Sequence, residues 1–252
     1  MGFLTLEGRV AMVTGAAQGI GFHTARMMCR NGMKTALVDM NGEKLEKMAA
    51  GLNASGGAEA FPLVCDVSDH ASIGRAVEAA AERFGGLDVL VNGAGILSAA
   101  KIPEIQLEEW EKILKVNLTG SFFMIQKALP YLTKSKHPRI INIASVAGRM
   151  GGVGNSMSYA ASKGGMIAIT RGCARHLGPL GITVNAVCPG PTRTPIMDAY
   201  TAEQMKILEG QNVLGRIGES DDVAAGICYL ASEEAGYVTG IALDINGGFW
   251  MG

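Results

Sequence analysis

Residues 10–21 read VAMVTGAAQGIG, a short apolar run that is followed by three glycines and then by residues with helical spacing. Glycines in a strand-to-helix turn let the backbone approach a pyrophosphate, which then lies at the N-terminus of the helix. The spacing is Gly-x-x-x-Gly-x-Gly rather than the commoner Gly-x-Gly-x-x-Gly. Because a strand precedes this turn and a helix follows it, we expect a dinucleotide phosphate to be bound by Gly15, Gln18, Gly19, Ile20 and Gly21.

Strand-like and helix-like stretches alternate along the rest of the chain. Apolar runs predict strands at Val10–Thr14, Thr35–Asp39, Ala58–Val64, Leu87–Val91, Arg139–Ala144, Thr183–Val187 and Ile241–Ile245. Helical spacing predicts helices at Ile20–Arg30, Glu43–Leu52, Ala71–Phe84, Leu107–Tyr131 (interrupted near Asn117), Ser158–Leu177 and Asp221–Ala231. Strands that are apolar throughout and alternate with helices are typical of a parallel sheet covered on both faces. We therefore predict one doubly wound α/β domain over residues 1–252.

Composition narrows the classes of function. The 252 residues carry a net charge of −1, which favours neither nucleic acid nor an anionic membrane as a partner. No apolar run is long enough to span a membrane, and the start MGFLTLEGRV lacks the features of a signal peptide. The five scattered cysteines are typical of reduced thiols, so we expect a cytoplasmic protein. The four histidines are dispersed without metal-ligand spacing, which predicts a reaction that needs no metal.

Polar or small residues follow three of the predicted strands. Asp39 ends the second strand, where a carboxylate can accept hydrogen bonds from an adenosine ribose. Asp66 and Val67 follow the third strand, where the carboxylate could meet the adenine amino group. The fourth strand ends in NGAG, whose Asn92, Ala94 and Gly95 would let a nucleotide lie against the strand ends.

Tyr159 and Lys163 stand four residues apart in a predicted helix, so both side chains can face one place. A cation about 5 Å from a phenol, at an effective dielectric of about 20, favours the phenolate by roughly 3 kcal/mol. This interaction brings a tyrosine into the range of acid–base catalysis at neutral pH. Ser145 ends the fifth strand and could hydrogen-bond the same reacting oxygen.

Taken together and in order, these motifs resemble the short-chain dehydrogenase/reductase family over essentially the whole chain. The match consists of TGAAQGIG (14–21), Asp39, Asp66, NGAG (92–95), KVNLTG (115–120), Ser145, YAASK (159–163) and PGPTRT (189–194). Two departures are Gly93, where the family usually has asparagine, and Asn246, where the family usually has aspartate. The resemblance implies a Rossmann-type, seven-stranded parallel sheet and a homotetramer.

The resemblance also assigns roles to residues. The family's catalytic tetrad falls on Asn117, Ser145, Tyr159 and Lys163, with Asn117 holding a water that relays protons. Tyr159 exchanges the hydroxyl proton, while Lys163 also binds the nicotinamide ribose. The nicotinamide amide and the nearby phosphate would be held by Pro189, Gly190, Thr192 and Thr194.

The leading functional prediction is an NAD-dependent alcohol dehydrogenase or ketone reductase acting on a small molecule. Asp39, without a basic residue at Gln18 or Met40, predicts NAD rather than NADP. One alternative is a 3-oxoacyl-[acyl-carrier-protein] reductase. Another is a non-catalytic, nucleotide-sensing protein on the same fold, against which the complete tetrad argues.

Substrate contacts are predicted from position. Residues at roughly 190–215 should form a lid, in which Met197 offers apolar surface beside Ser145 and Tyr159. The loop Val146–Met157 should form the other wall. Arg149 lies four residues after Ser145, so it is a candidate for binding an anionic substrate group.

Overall fold

A seven-stranded parallel sheet forms the centre of the computed structural model, which describes residues 4–152 and 157–252. In chain order its strands are β1 Val10–Thr14, β2 Lys34–Asp39, β3 Ala60–Val64, β4 Val89–Asn92, β5 Arg139–Ile143, β6 Thr183–Pro189 and β7 Ala242–Ile245. They lie in the order β3-β2-β1-β4-β5-β6-β7, and each neighbouring pair is parallel. The predicted doubly wound sheet is therefore confirmed.

The helices that connect these strands cover both faces of the sheet. They are α1 Gly19–Arg30, α2 Gly42–Ala54, α3 His70–Phe84, α4 Leu107–Leu114, α5 Gly120–Leu132, α6 Ala147–Met150, α7 Met157–Leu177, α8 Ala202–Gln211 and α9 Ser220–Ala231. A π-helical turn, Lys115–Thr119, joins α4 to α5. A second, two-stranded sheet pairs Thr192–Arg193 with Gly218–Glu219.

Two apolar cores lie on opposite faces of the sheet. The core under α1, α2 and α9 includes Met28, Leu45 and Ile227. The core under α3, α5 and α7 includes Ile73, Met124 and Leu177. Strand β1 contributes Ala11 and Val13 to the first core and Val10 and Met12 to the second, because successive side chains of a strand point to opposite faces. Burial on both faces explains why the strand sequences are apolar throughout.

The glycine-rich turn packs too closely for side chains. A Cβ on Gly21 would lie 2.2 Å from the Gly15 carbonyl oxygen, and a Cβ on Gly15 would lie 2.8 Å from the Gly93 carbonyl oxygen. Gly15 also has a φ of +71°, a conformation that favours glycine. The first of these contacts brings the start of α1 against the end of β1. The second brings the ends of β1 and β4 together, at the point where the strand order reverses.

The sequence predictions differ from the structure mainly at element ends. Strand β4 begins at Val89 rather than Leu87, and β6 continues to Pro189. The expected interruption near Asn117 is confirmed as the π-helical turn. The helix α6 was not predicted, since it has only four residues, contains Gly148 and is followed by Gly151 and Gly152. So short a segment carries little helical periodicity.

Candidate active site

A cleft of about 880 Å³ runs along the carboxyl ends of the strands. Ligands of open α/β sheets bind at this edge, where the strand order reverses between β1 and β4. Asp39 lines one part of the cleft, and Ser145, Tyr159 and Lys163 line another. The cleft is also lined by the other predicted cofactor-binding positions Gly15, Gln18, Gly19, Ile20, Gly21, Asp66, Val67, Ala94, Gly95, Pro189, Gly190, Thr192 and Thr194.

The Asp39 carboxylate is fixed at the end of β2. One oxygen accepts a hydrogen bond from the Ala17 backbone N–H at 3.2 Å, and the other accepts from the Asn41 N–H at 3.0 Å. Asn41 in turn caps α2, since its side chain accepts from the Lys44 N–H at 3.0 Å. The carboxylate therefore has a defined position against the glycine-rich turn, which fits an adenosine ribose.

A cation that the sequence prediction overlooked stands at the same place. The Lys44 ammonium donates to the Gln18 side-chain oxygen at 2.6 Å, and both residues line the cleft. Positions 18 and 40 carry no basic residue, as the sequence prediction states, but Lys44 brings a cation to Gln18 in the folded chain. In the sequence, Lys44 can be recognised only as a lysine in the first turn of a predicted helix. Where its side chain points depends on the direction in which α2 leaves β2, which the sequence does not show.

The turn after β4 is held against β1 by a threonine. The Thr14 hydroxyl oxygen accepts from the Gly93 and Ala94 N–H groups at 3.0 and 3.1 Å. A Cβ on Gly93 would lie 2.7 Å from the Thr14 carbonyl oxygen. The ends of β1 and β4 are therefore so close at Gly93 that there is no room for a side chain.

Ser145, Tyr159 and Lys163 meet at the ends of β5 and α7. The Ser145 side chain lies beside the Tyr159 hydroxyl. Burial raises the pKa of Tyr159, and the neighbouring Ser145 side chain acts in the opposite direction. The expected lowering of the tyrosine pKa is not seen in the protein alone, so Tyr159 carries its proton at neutral pH.

Lys163 is buried, with 4% of its side chain exposed. Its ammonium donates to the Ile143 carbonyl oxygen at 2.6 Å and lies 5.7 Å from the centroid of the Tyr159 ring. Burial lowers the pKa of Lys163 from 10.5 to about 8. The amine therefore stays largely protonated at neutral pH beside the tyrosine.

Asn117 lies in the π-helical turn and is fully buried. Its side-chain oxygen accepts from the Ile96 N–H at 2.8 Å, and its amide donates to the Ile96 carbonyl and the Ser162 hydroxyl, both at 3.0 Å. Ser121 donates to the Asn117 carbonyl at 3.1 Å. Asn117 thus holds the loop after β4 against α7, which is a positioning role. The expected water relay stays a prediction.

The backbone around Pro189–Thr194 forms one side of the cleft. A Cβ on Gly190 would lie 2.8 Å from the Asn246 Cβ, and the Thr192 hydroxyl donates to the Gly190 carbonyl at 2.9 Å. A Cβ on Gly19 would lie 3.3 Å from the Thr194 methyl group. These contacts place the Pro189–Thr194 segment beside the glycine-rich turn, so one cofactor could touch both.

Comparison with known proteins agrees with this arrangement. The family model described as enoyl-(acyl carrier protein) reductase matches residues 15–250. The 2,5-dichloro-2,5-cyclohexadiene-1,4-diol dehydrogenase LinX of Sphingobium indicum is 38% identical over 247 residues, which cover 98% of each chain. The 3-oxoacyl-[acyl-carrier-protein] reductase FabG of Thermotoga maritima is 36% identical over 245 residues, which cover 97% of this chain and 99% of that protein.

A solved structure shows the same fold. A dehydrogenase/reductase from Sinorhizobium meliloti 1021 superposes with a TM-score of 0.93 and 33% identity, covering 98% of this chain and 97% of the other. The chain belongs to the short-chain dehydrogenase/reductase family. The resemblance predicted from the motifs is confirmed, and the chain is accordingly an oxidoreductase of this family.

One residue that the family pattern suggested for binding, Asn92, is turned away from the cleft in this member. The Asn92 side chain is buried and donates to the Asn142 side chain at 2.9 Å. Asn142 donates onward to the Thr170 hydroxyl at 2.9 Å. Asn92 does not line the cleft, so its side chain joins β4, β5 and α7 rather than facing a cofactor. The Asp66 carboxylate lines the cleft and accepts from the Ser68 N–H at 2.8 Å.

Arg149 is not a substrate ligand in this structure. Its guanidinium donates to both carboxylate oxygens of Asp244, at 3.3 and 3.1 Å, and to the Ala242 carbonyl at 2.5 Å. The neighbouring Val146, Ala147 and Met150 line the cleft, but Arg149 does not. The prediction that it binds an anionic substrate group is therefore corrected: the side chain points along α6 towards β7.

Met197 and Tyr200, both in the predicted lid segment, line the cleft, and Leu208 of the same segment joins them. Phe249 also lines the cleft, and sequence reasoning missed this residue. Phe249 belongs to the C-terminal segment, which carries no pattern that would link it to the lid. Of the predicted loop wall, residues 153–156 lie outside the described part of the chain.

Metal and membrane features can be stated for the described ranges, 4–152 and 157–252. Within them, no three His, Cys, Asp or Glu side chains come together as a metal site. None of the helices in these ranges is both long and apolar enough to cross a membrane.

Proposed function

We propose that this chain is an NAD-dependent oxidoreductase that transfers a hydride between the nicotinamide and the carbon of an uncharged secondary alcohol or ketone. The observation that carries the proposal is the meeting of Ser145, Tyr159 and the buried Lys163 ammonium, which lies 5.7 Å from the Tyr159 ring centroid, in the cleft that also contains the glycine-rich turn. NAD, when bound, supplies the hydride chemistry. The chain's own residues bind the reactants and move the hydroxyl proton.

The residue roles follow from the geometry. Ser145 and the Tyr159 hydroxyl both face the substrate oxygen, and the protonated Tyr159 donates its proton to a ketone oxygen or, as a phenolate, accepts one from an alcohol. The Lys163 ammonium offers a positive charge that stabilises the phenolate form. Asn117 keeps the loop after β4 in contact with α7, which maintains the cleft floor beside Lys163.

The coenzyme proposal rests on Asp39. Its carboxylate is anchored by two backbone N–H groups, so it cannot swing away from a ribose without losing both hydrogen bonds. A 2′-phosphate would add negative charge against that fixed carboxylate. The Lys44 ammonium, which is bonded to Gln18, reduces this penalty because its charge is opposite to that of a phosphate. Among the cleft-lining residues of the described segments 15–21 and 38–44, Lys44 is the one cation.

We infer the substrate class from the lining of the cleft. Leu97, Met150, Met197, Leu208 and Phe249 present apolar surface to it, while Arg149 is paired with Asp244 and does not line it. An apolar wall favours an uncharged carbon skeleton. Ring alcohols and ketones are the first compounds to test, since the relative LinX is named for a cyclohexadienediol.

A 3-oxoacyl-[acyl-carrier-protein] reductase is the second candidate, since FabG proteins of several bacteria are 36–37% identical to this chain. Four charged residues on α4 and just after it line the cleft, namely the acids Glu108 and Glu111 and the lysines Lys112 and Lys115. Together these four side chains carry no net positive charge. We therefore place the small uncharged substrate first.

The experiment is a coenzyme and substrate matrix. NAD and NADP are each assayed with ring alcohols, and NADH and NADPH with ring ketones and an acetoacetyl thioester. We expect the highest kcat/KM for an uncharged ring substrate with NAD or NADH. Highest activity for the thioester with NADPH would instead support the acyl-carrier-protein reductase. No turnover with any combination of coenzyme and substrate, with normal coenzyme binding, would support the non-catalytic alternative.

A further inference from the structure

The C-terminal turn, defined here as Asn246–Trp250, brings an aromatic side chain to the cleft. The Asn246 side chain accepts from the Gly248 N–H at 2.9 Å and donates to the Trp250 carbonyl at 2.9 Å, while the Phe249 N–H donates to the Asn246 carbonyl at 3.0 Å. These hydrogen bonds fix the backbone on both sides of Phe249. Phe249, which is half-buried, lines the cleft.

One side of the C-terminal turn packs on the segment after α8. The Leu214 N–H donates to the Gly247 carbonyl at 3.0 Å, and a Cβ on Gly248 would lie 2.7 Å from the Val213 Cβ. Gly247 and Gly248 have φ values of +63° and +80°. Leu208 of α8 lines the same cleft as Phe249, so α8 and the C-terminal turn both contribute to its wall.

The other side of the C-terminal turn packs on Arg149. The guanidinium carbon lies 5.0 Å from the centroid of a Trp250 ring, in cation–π geometry, while the same group is paired with Asp244 on β7. Arg149 and Asp244 expose only 16% and 26% of their side chains. An ion pair this shielded, with two hydrogen bonds to one carboxylate, holds a defined geometry.

Arg149 also stands on α6, whose first residue is hydrogen-bonded to Ser145. The Ser145 hydroxyl oxygen accepts from the Ala147 N–H at 3.1 Å at the start of α6. A Cβ on Gly148 would lie 2.6 Å from the Lys163 carbonyl carbon, so α6 lies flush against the catalytic helix α7. The short helix therefore touches the catalytic group on one side and the C-terminal turn on the other.

We propose that the C-terminal turn is a substrate-specificity element in which Phe249 contacts the substrate and Arg149 is the positioning residue that holds Phe249 in place through Trp250. This inference rests on the proposed function for the identity of the substrate. It assigns the size limit of the substrate to the end of the chain, and it gives Arg149 a role that does not involve an anionic substrate.

The first test compares a small and a large ring ketone, cyclohexanone and decalone, with NADH. Removing the Phe249 ring removes contact with the small ketone and opens space for the large one. We expect Phe249→Ala to raise KM for cyclohexanone about five- to twentyfold and to shift the kcat/KM ratio at least tenfold towards decalone. Phe249→Leu should retain most of the wild-type ratio. The matched control is Tyr237→Ala, since Tyr237 is fully exposed and does not line the cleft.

The second test separates positioning from general stability. Arg149→Met should shift the two KM values in the same direction as Phe249→Ala, and the double variant should show much less than the sum of the two effects. A purely structural role for Arg149 would instead lower Tm and reduce kcat for both ketones equally. Additive effects, or no change in the substrate ratio, would overturn the proposal.

A binding readout keeps this inference separate from the proposed function. The chain has two tryptophans, so Trp110→Phe leaves Trp250 as the only one. Cyclohexanone is titrated into this variant saturated with NAD, a pair in which no hydride can transfer because both members are oxidised. We expect a saturable change in Trp250 emission, with binding at least tenfold weaker after adding Phe249→Ala.

The combined outcomes are distinct. Turnover of ring ketones without a size shift supports the proposed function and overturns the specificity element. A Phe249-dependent emission change without any turnover supports the specificity element and overturns the proposed function. Absence of both turnover and emission change rejects both proposals.

Discussion

At the residue scale, Lys163 combines a stabilising contact with an unfavourable burial. Its ammonium has a 2.6 Å hydrogen bond to the Ile143 carbonyl, yet burial lowers its pKa from 10.5 to about 8. Between these two pH values the unfolded chain binds more protons than the folded chain, so Lys163 makes stability rise with pH through this window. Below about pH 8 the protonated amine lowers the free energy of unfolding by about 3 kcal/mol relative to a neutral one.

Lys163→Met should therefore separate stability from activity. We expect the variant to be inactive but at least as stable as the wild type near neutral pH, because methionine needs no hydration. The wild type should recover about 2 kcal/mol relative to the variant when the pH rises from about 7.5 to about 9.5. Urea unfolding of both proteins at the two pH values measures this difference. An unchanged difference would show that the lysine is not buried in its charged form.

The coenzyme preference also belongs to single residues. Like charge at about 4 Å and an effective dielectric of about 20 gives roughly 4 kcal/mol of repulsion between Asp39 and a 2′-phosphate. Screening and the nearby Lys44 ammonium reduce this repulsion. We expect wild-type kcat/KM to favour NAD over NADP by about tenfold to a hundredfold, Asp39→Ala to shrink this ratio, and Lys44→Gln to enlarge it.

Steady-state kinetics with both coenzymes and one substrate tests the assignment. Lys44→Arg is the matched control, since it keeps the charge and should leave the ratio near the wild-type value. Equal use of NAD and NADP by the wild type would contradict the role given to Asp39. A Lys44→Gln variant with an unchanged ratio would remove Lys44 from coenzyme selection.

At the element scale, the π-helical turn connects the loop after β4 to the catalytic helix. Asn117 bonds both backbone groups of Ile96 and the Ser162 hydroxyl, and Asn117 and Ser162 are fully buried. Leaving buried polar groups without partners costs about 1–3 kcal/mol for each. The π-turn, by widening the helix at this point, lets one asparagine reach three partners.

Asn117→Ala should lower the free energy of unfolding by about 2–5 kcal/mol and also reduce kcat. Asn117→Asp keeps the acceptor for the Ile96 N–H but loses both donors, so we expect an intermediate loss of stability. Denaturant unfolding and kcat are measured on the same samples. If Asn117→Ala were as stable as the wild type, the positioning role described for Asn117 would be wrong.

The elements also show what the sequence could predict. Tyr159, Lys163 and Ser145 were predicted correctly as neighbours, because helical spacing and a strand end fix their places without knowledge of the rest. Lys44 and Phe249 were not predicted as cleft residues. Their positions depend on how α2 leaves β2 and on how the C-terminal turn folds back on α8, which no local pattern encodes.

At the scale of the whole molecule, the strand order explains the site. The parallel arrangement brings the carboxyl ends of all seven main strands to one edge, where binding residues far apart in sequence meet. This architecture was predictable from apolar strands alternating with helices. That one domain comprises all of residues 1–252 stays a prediction. The Asn92–Asn142–Thr170 chain of side chains was not predictable, since each residue also suits a strand or helix surface.

The predicted homotetramer is a property of the outer surface. Leu107 on α4 and Phe122 on α5 expose 66% and 42% of their area, so these two consecutive helices present apolar side chains to the solvent. Exposed apolar surface of this kind can mark an interface between subunits when it is contiguous. We expect light scattering after gel filtration to give about four times the chain mass of 26.3 kDa. Phe122→Glu should lower that mass if α5 lies at an interface. A monomer mass for the wild type would contradict the prediction.

The most direct test of the account is the activity of Tyr159→Phe, which removes one hydroxyl and leaves the ring. With a ring alcohol that the wild type oxidises, we expect kcat to fall by at least two to four powers of ten, since acid–base assistance is lost. The dissociation constant for NADH, measured by fluorescence titration, should change less than about threefold, because the glycine-rich turn and Asp39 are untouched. A near-normal kcat in Tyr159→Phe would contradict the assignment of Tyr159 as the acid–base residue.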